Sequence, residues 1–227
     1  MVKVIPAILT LDIKEIEEKI KRVEGINLPD LIKPDRVQID IIDGKFADNR
    51  TIEPSVLETI DTDLKIDFHL MTKDPIEWVE RCVHGMADRI IGQIELMGDQ
   101  AGFVGKVQEV GLSVGLAIDI YTPVSKIDPT IINNLDVVLV MSVPAGFGSQ
   151  KFDPSALLKV KELDEIRARD VTPFSICVDG GETTSTIDDM HFAGADEVVI
   201  GKRIFEGDLS ENIMKFEKAA HKLNLMK

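Results

Sequence analysis

The chain has 227 residues, 44% of them hydrophobic, which is enough for one large α/β domain or two small ones with a full core. Its formal charge of −14, unrelieved by any Lys/Arg cluster, argues against a nucleic-acid or anionic-membrane surface. Two cysteines, Cys82 and Cys177, fit a reducing compartment. The apolar run at 4–9 is too short for a secretory core or a membrane span, so a cytoplasmic location is expected.

In chain order, β-rich runs predict strands at 3–9, 35–42, 65–71, 89–95, 113–119, 136–142, 173–179 and 196–201. Helical patterns fill the gaps at 11–23, 54–60, 75–83, 100–110, 124–133, 154–169, 183–193 and 210–223. Pro54, Pro75 and Pro154 stand where first helical turns are expected, and Asp74 and Asp153 precede two of them as N-caps. Gly111 and Gly194 close helices ahead of the next strand. Eight β-then-α units in this length favour a (β/α)₈ TIM barrel, with an open doubly wound sheet as the alternative. No Pro- or Ser-rich linker divides the chain, so residues 1–227 are read as one domain.

The barrel gives three distant side chains a shared place. Alternate strand residues share a face. Gln38, Asp40 and Ile42 therefore point one way, as do Asp67, His69 and Met71, and Ser175, Cys177 and Asp179. Asp40, His69 and Asp179 fall near the C-terminal ends of strands 2, 3 and 7, where barrel enzymes carry their chemistry. Alone, each aspartate is a turn former and the histidine a bonded strand residue. Three at equivalent ends make a site. Turns able to cradle an anion follow at Gly146 and Gly148, at Gly180-Gly181 and at Gly201-Lys202. The bland reading of Lys202 is a solvated surface charge.

At these residues the chain resembles the ribulose-phosphate 3-epimerases. The likeness runs through PAIL near the start, QIDIIDGKFADN, DFHLM, VLVMSVPAGFGSQKF, CVDGG and GADEVVIGKRIF, in that order. It implies a (β/α)₈ barrel that inverts carbon 3 of ribulose 5-phosphate to give xylulose 5-phosphate, with a bound divalent metal and often as a homo-oligomer. It implies Asp40 and Asp179 as the proton-transfer pair, both touching the metal together with His69. Inversion needs an acid and a base on opposite faces of the carbon, which explains two carboxylates. A non-catalytic sugar-phosphate binder is the competing class. A synthase acting on hexulose phosphates ranks last, because Asp67-Phe68-His69 lacks the lysine of that motif.

The departures cluster around the site. Gln38 stands where the family has a metal-binding histidine, so an amide oxygen replaces a ring nitrogen. That substitution makes Mn²⁺, Fe²⁺ or Mg²⁺ more credible relative to Zn²⁺. Gln93 also replaces a histidine, Ala7 a serine, Ile42 a pocket methionine and Ser149 a glycine. Lys202 replaces a small residue. Met71 and Met141 keep the family's pocket identity, and Cys177 reads as an inert buried thiol. Phe147 and Gln150 are candidates for a loop that covers the ligand.

Overall fold

A computed structural model of the chain describes residues 2–169 and 174–221. Eight strands pair in parallel, each with its sequence neighbour, and the last returns to the first: β1 (Lys3–Ile8), β2 (Arg36–Ile42), β3 (Lys65–Met71), β4 (Ala87–Gln93), β5 (Ser113–Ile118), β6 (Val137–Met141), β7 (Ser175–Asp179) and β8 (Glu197–Ile200). The sheet is a closed (β/α)₈ barrel, which excludes the open-sheet alternative. The strands are runs of Val, Ile and Leu because both faces are covered. Ile39, Ile41, Phe68, Leu70 and Val140 face outward to the helices. Ile5, Ile91, Val137, Leu139, Cys177 and Val199 fill the barrel interior.

Among the described residues, seven α-helices surround the sheet: α1 (Ile13–Glu24), α2 (Val79–His84), α3 (Gln100–Glu109), α4 (Ala156–Arg167), α5 (Ile187–Ala193), α6 (Lys202–Phe205) and α7 (Leu209–His221). In α1 the spacing of Ile16, Ile20 and Val23 buries one stripe, and the Asp12 carboxylate caps its first turn. Cys82 on α2 lies buried in this outer layer. Among the described residues, no helix is long and apolar enough to cross a membrane.

The helix predictions need five corrections. The expected helix at 124–133 is replaced by two short 3₁₀ turns, Val124–Lys126 and Ile132–Asn134. Pro129 lacks the N–H a helix needs there and disfavours helical backbone at Asp128. The segment at 54–60 is a 3₁₀ turn, Pro54–Thr59, too short and too rich in branched residues to nucleate an α-helix. Asp74 is no cap: its backbone is left-handed and its side chain makes no capping bond. The helix expected at 183–193 begins only at Ile187, after a turn closed by the Thr186 hydroxyl on the Thr183 backbone. Asp153 accepts from the Ser155 N–H at 2.9 Å, but α4 begins only at Ala156, with Ser155 at its N-cap and no side-chain capping bond. The ends of the predicted segments at 173–179 and 210–223 lie partly outside the described residues.

Charged residues close the N-terminal end of the barrel. Asp67, wholly buried, accepts from Arg36 Nη1 and Arg89 Nη2, each at 2.6 Å. Arg89 also reaches Glu197 at 2.8 Å. A register shift between β3 and β4 pairs Asp67 with Arg89 instead of Asp88, which turns the guanidinium inward.

Candidate active site

At the opposite, C-terminal end, a cavity of about 530 Å³ opens among the loops after the strands. Asp40 and Asp179 stand at its floor, one from β2 and one from β7. Gln38 lies just beneath, fully buried, and its single amide ties the two together. Gln38 Nε2 donates to Asp40 Oδ1 at 2.9 Å and to Asp179 Oδ2 at 2.7 Å. His69, in register with Asp40 on β3, brings Nδ1 to 3.4 Å from Asp40 Oδ1 and 3.7 Å from Asp179 Oδ2. The alternation read from the sequence thus brings all three ionisable residues together.

The charges around this cluster do not balance without a further cation or proton. Burial first, and the Asp40 carboxylate second, push Asp179 up to about 7. Burial disfavours charge on His69, but the Asp40 and Asp179 carboxylates outweigh it and raise its pKa. Gln93 Oε1 lies 2.8 Å from His69 Nε2, which makes Nε2 the protonated nitrogen and leaves Nδ1 facing the carboxylates. Nδ1 has no hydrogen-bond partner of its own. The ligand atoms of Asp40, His69 and Asp179 all lie within 4.8 Å of one another, so the group can hold a divalent metal ion. That donor set, with its unpartnered nitrogen, fits such an ion. Gln93 is therefore no mere lost histidine: it orients the His69 ring from behind. Gln38 presents N–H to both carboxylates, and its Oε1 is buried without a partner.

The predicted anion turns gather in the same cavity: Gly146, Gly148, Gly180, Gly181, Gly201 and Lys202 all line it. Gly180 and Gly181 have φ of +122° and +74°, and a Cβ on Gly181 would come within 2.4 Å of the Phe152 backbone. Only glycine fits that turn. Ala7, Met71 and Met141 line the cavity as expected. Ile42 does not, contrary to the sequence reading. The Thr51 hydroxyl accepts from Ile42 N–H, and Thr51 N–H donates to Ile42 O, folding the following segment over the strand end. Ile42 is left in the interior cluster.

Two loops meet over the site. Asn49 Nδ2 donates to Gly146 O at 2.8 Å, joining the loops after β2 and β6. Phe147 and Gln150 both line the cavity; Phe147 is half-exposed, and Gln150 Nε2 also donates to Pro144 O and Phe147 O, bracing its own loop. Ser149, where the family has glycine, adopts a positive φ of 62°. Cys177 is buried, and burial keeps its thiol protonated.

The profile of the ribulose-phosphate 3 epimerase family matches residues 3–205. The chain belongs to that family. The ribulose-phosphate 3-epimerase of Bacillus subtilis (strain 168) is 34% identical over 211 residues, 90% of this chain and 93% of the relative. The chloroplastic ribulose-5-phosphate-3-epimerase of Arabidopsis thaliana is 32% identical over 205 residues, 88% of this chain and 70% of the relative. A crystal structure of 3-hexulose-6-phosphate synthase superposes with a TM-score of 0.63 at 17% identity, covering 96% of this chain and 99% of that one. At that identity the likeness concerns the fold alone. Sequence reasoning missed Glu15, Lys19, Glu182, Arg203 and Glu206, which also line the cavity of this family member. Helical spacing assigns Glu15 and Lys19 to a solvated face, and only the packing of α1 against the segment after β8 turns them inward.

Proposed function

We propose that the protein is an epimerase that interconverts ribulose 5-phosphate and xylulose 5-phosphate, or a closely related ketose phosphate, through an enediolate. The observation that carries this is the pair of carboxylates from β2 and β7, bridged by one Gln38 amide at the floor of a single cavity. Asp40 removes the carbon-3 proton from one face, and Asp179 delivers a proton to the other; in reverse they exchange roles. With no cation bound, burial and the Asp40 carboxylate raise the Asp179 carboxyl to about 7, so it can hold that proton near neutrality. His69, fixed by Gln93 at Nε2, turns Nδ1 toward both acids. The glycine turns and Lys202 hold the phosphate and so set carbon 3 between the acids.

A divalent cation held by Asp40, His69 and Asp179 supplies positive charge for the substrate's developing oxyanion when bound. Two carboxylates, one imidazole and at most an amide oxygen from Gln38 suit Mn²⁺, Fe²⁺ or Mg²⁺ better than Zn²⁺. We read residues 1–227 as one barrel domain working in the cytoplasm as a homo-oligomer, with no nucleic-acid or membrane partner. Nothing in the site or the comparisons favours a non-catalytic binder. The test is solvent exchange: incubation in D₂O with each divalent metal in turn is expected to place deuterium at carbon 3 of ribulose 5-phosphate. Absence of exchange under every metal overturns the reading.

A further inference from the structure

The two acids and the glycine turns leave one arm of the cavity unexplained. Glu15, Lys19, Arg203 and Glu206 line it, between α1 and the segment after β8. Lys202 and Arg203 are exposed, but the Lys19 side chain retains only 17% of its accessible surface. Its ammonium bonds Glu15 Oε1 at 2.6 Å and lies 5.0 Å from the centre of the Phe205 ring. Phe205 is the last residue of α6, whose first residue, Lys202, follows Gly201 directly. Arg22, one turn along α1 from Lys19, donates to Phe205 O at 3.2 Å and to Gly207 O at 3.3 Å. These bonds fasten α1 to the segment that carries Gly201-Lys202, so Lys19 keeps a fixed place beside it.

A control pair on the same helix shows that this arrangement is not generic. Lys21 and Glu17 make an identical i,i+4 contact at 2.5 Å, yet their side chains are 65% and 47% exposed. Such a pair contributes little and attracts nothing in particular. Lys19 is walled by an aromatic face and a cavity surface, where a charge is less screened. An ammonium has three donors, and Glu15 takes one of them. Thr10 Oγ1 donates to the other Glu15 oxygen at 2.5 Å, which holds that carboxylate in place.

We propose that Lys19 is a specificity-determining residue for the phosphate group: its remaining donors turn to a phosphate seated at Gly180-Gly181 and Gly201-Lys202, with Glu15 holding it ready. Backbone N–H groups in glycine turns match oxygen positions, whereas a half-buried ammonium selects for the charge of a dianion. The inference rests on the epimerase reading of the cavity. It assigns Lys19 to substrate selection and gives it no part in proton transfer.

The experiment compares Lys19→Met, Lys19→Arg, Glu15→Gln and Lys21→Met in the full chain supplied with Mn²⁺. Both KM for ribulose 5-phosphate and the inhibition constant of inorganic phosphate are measured. Lys19→Met is expected to raise both about tenfold, with the loss in kcat/KM carried by KM. Lys19→Arg restores most of the loss, Glu15→Gln raises the phosphate constant less than Lys19→Met does, and Lys21→Met behaves as wild type. A Lys19→Met protein with unchanged KM and phosphate constant overturns the proposal, including when its melting temperature falls; so does a loss confined to kcat. If the wild-type protein does not epimerise, calorimetric titration with inorganic phosphate separates the two claims. Lys19-dependent phosphate binding then keeps this inference and discards only the reaction, while phosphate binding indifferent to Lys19, or absent, sinks it.

Discussion

Both ends of the barrel bury carboxylates, and they differ in what stands beside them. At the N-terminal end Asp67 and Glu197 face Arg36 and Arg89, whose charge never leaves. At the C-terminal end Asp40 and Asp179 meet an imidazole and the Gln38 amide; among the described residues, no lysine or arginine bonds either acid. Burial pushes the Asp67 carboxyl upward, but two guanidiniums at 2.6 Å oppose it. Burial raises the Asp179 carboxyl too, to about 7, and there only His69 and the Gln38 amide oppose it. Permanent cations lock a carboxylate into a structural role. Their absence leaves room for a proton or a metal ion, and hence for chemistry.

Exchanging the fates of the two ends is the strongest way to break this contrast. Asp179→Asn is expected to lower kcat by about 10³-fold, the scale of a lost general acid or base, with an unchanged or raised melting temperature. Asp67→Ala should do the reverse. It strips Arg36 of its carboxylate and leaves the buried Arg89 with Glu197 alone, and is expected to cost about 3–5 kcal/mol in urea unfolding, while the folded fraction retains its kcat. If Asp67→Ala lowers kcat and spares stability, the division of labour between the ends is wrong.

Acidity sharpens the comparison at lower amplitude. In chelated protein, Asp179 binds its proton more tightly folded, at about 7, than at its ordinary value of 3.8. Its contribution is therefore fully present below about pH 4 and is lost as pH rises through 7. Melting temperatures taken with chelator should fall across that window, and Asp179→Asn should flatten the fall. Mn²⁺ should raise the melting temperature more at pH 8 than at pH 5, because protons compete for the same oxygens. Smallest is Gln38→His, which replaces an amide with a nitrogen ligand and is expected to increase metal affinity about tenfold, read by competition with a fluorescent chelator.

The barrel was legible because its strands are buried on both sides and read as unbroken Val/Ile runs. Period-two alternation then placed Asp40, His69 and Asp179 on the inner face without any coordinate. Helices were harder where local chemistry overrode pattern, as at Pro129 and in the short segment beginning at Pro54. Within the site, side-chain partners lay beyond what sequence could say. Gln93 reads as a lost ligand until its oxygen is seen against His69 Nε2, and Ile42 reads as pocket until Thr51 folds over it. Lys19 looks like surface because helical periodicity cannot know which neighbour a polar face will meet.

The two cysteines sit on opposite sides of the strand wall, Cys82 among the helices and Cys177 inside the barrel. Burial keeps both thiols protonated and out of reach, so an alkylating reagent can label them only through opening motions. Cys82, on a six-residue helix, reports loosening of the outer shell. Cys177 reports rupture of the staves themselves. The chain thus carries two internal stopwatches, and the ratio of their labelling rates measures how far its outer coat can fray before the barrel gives way.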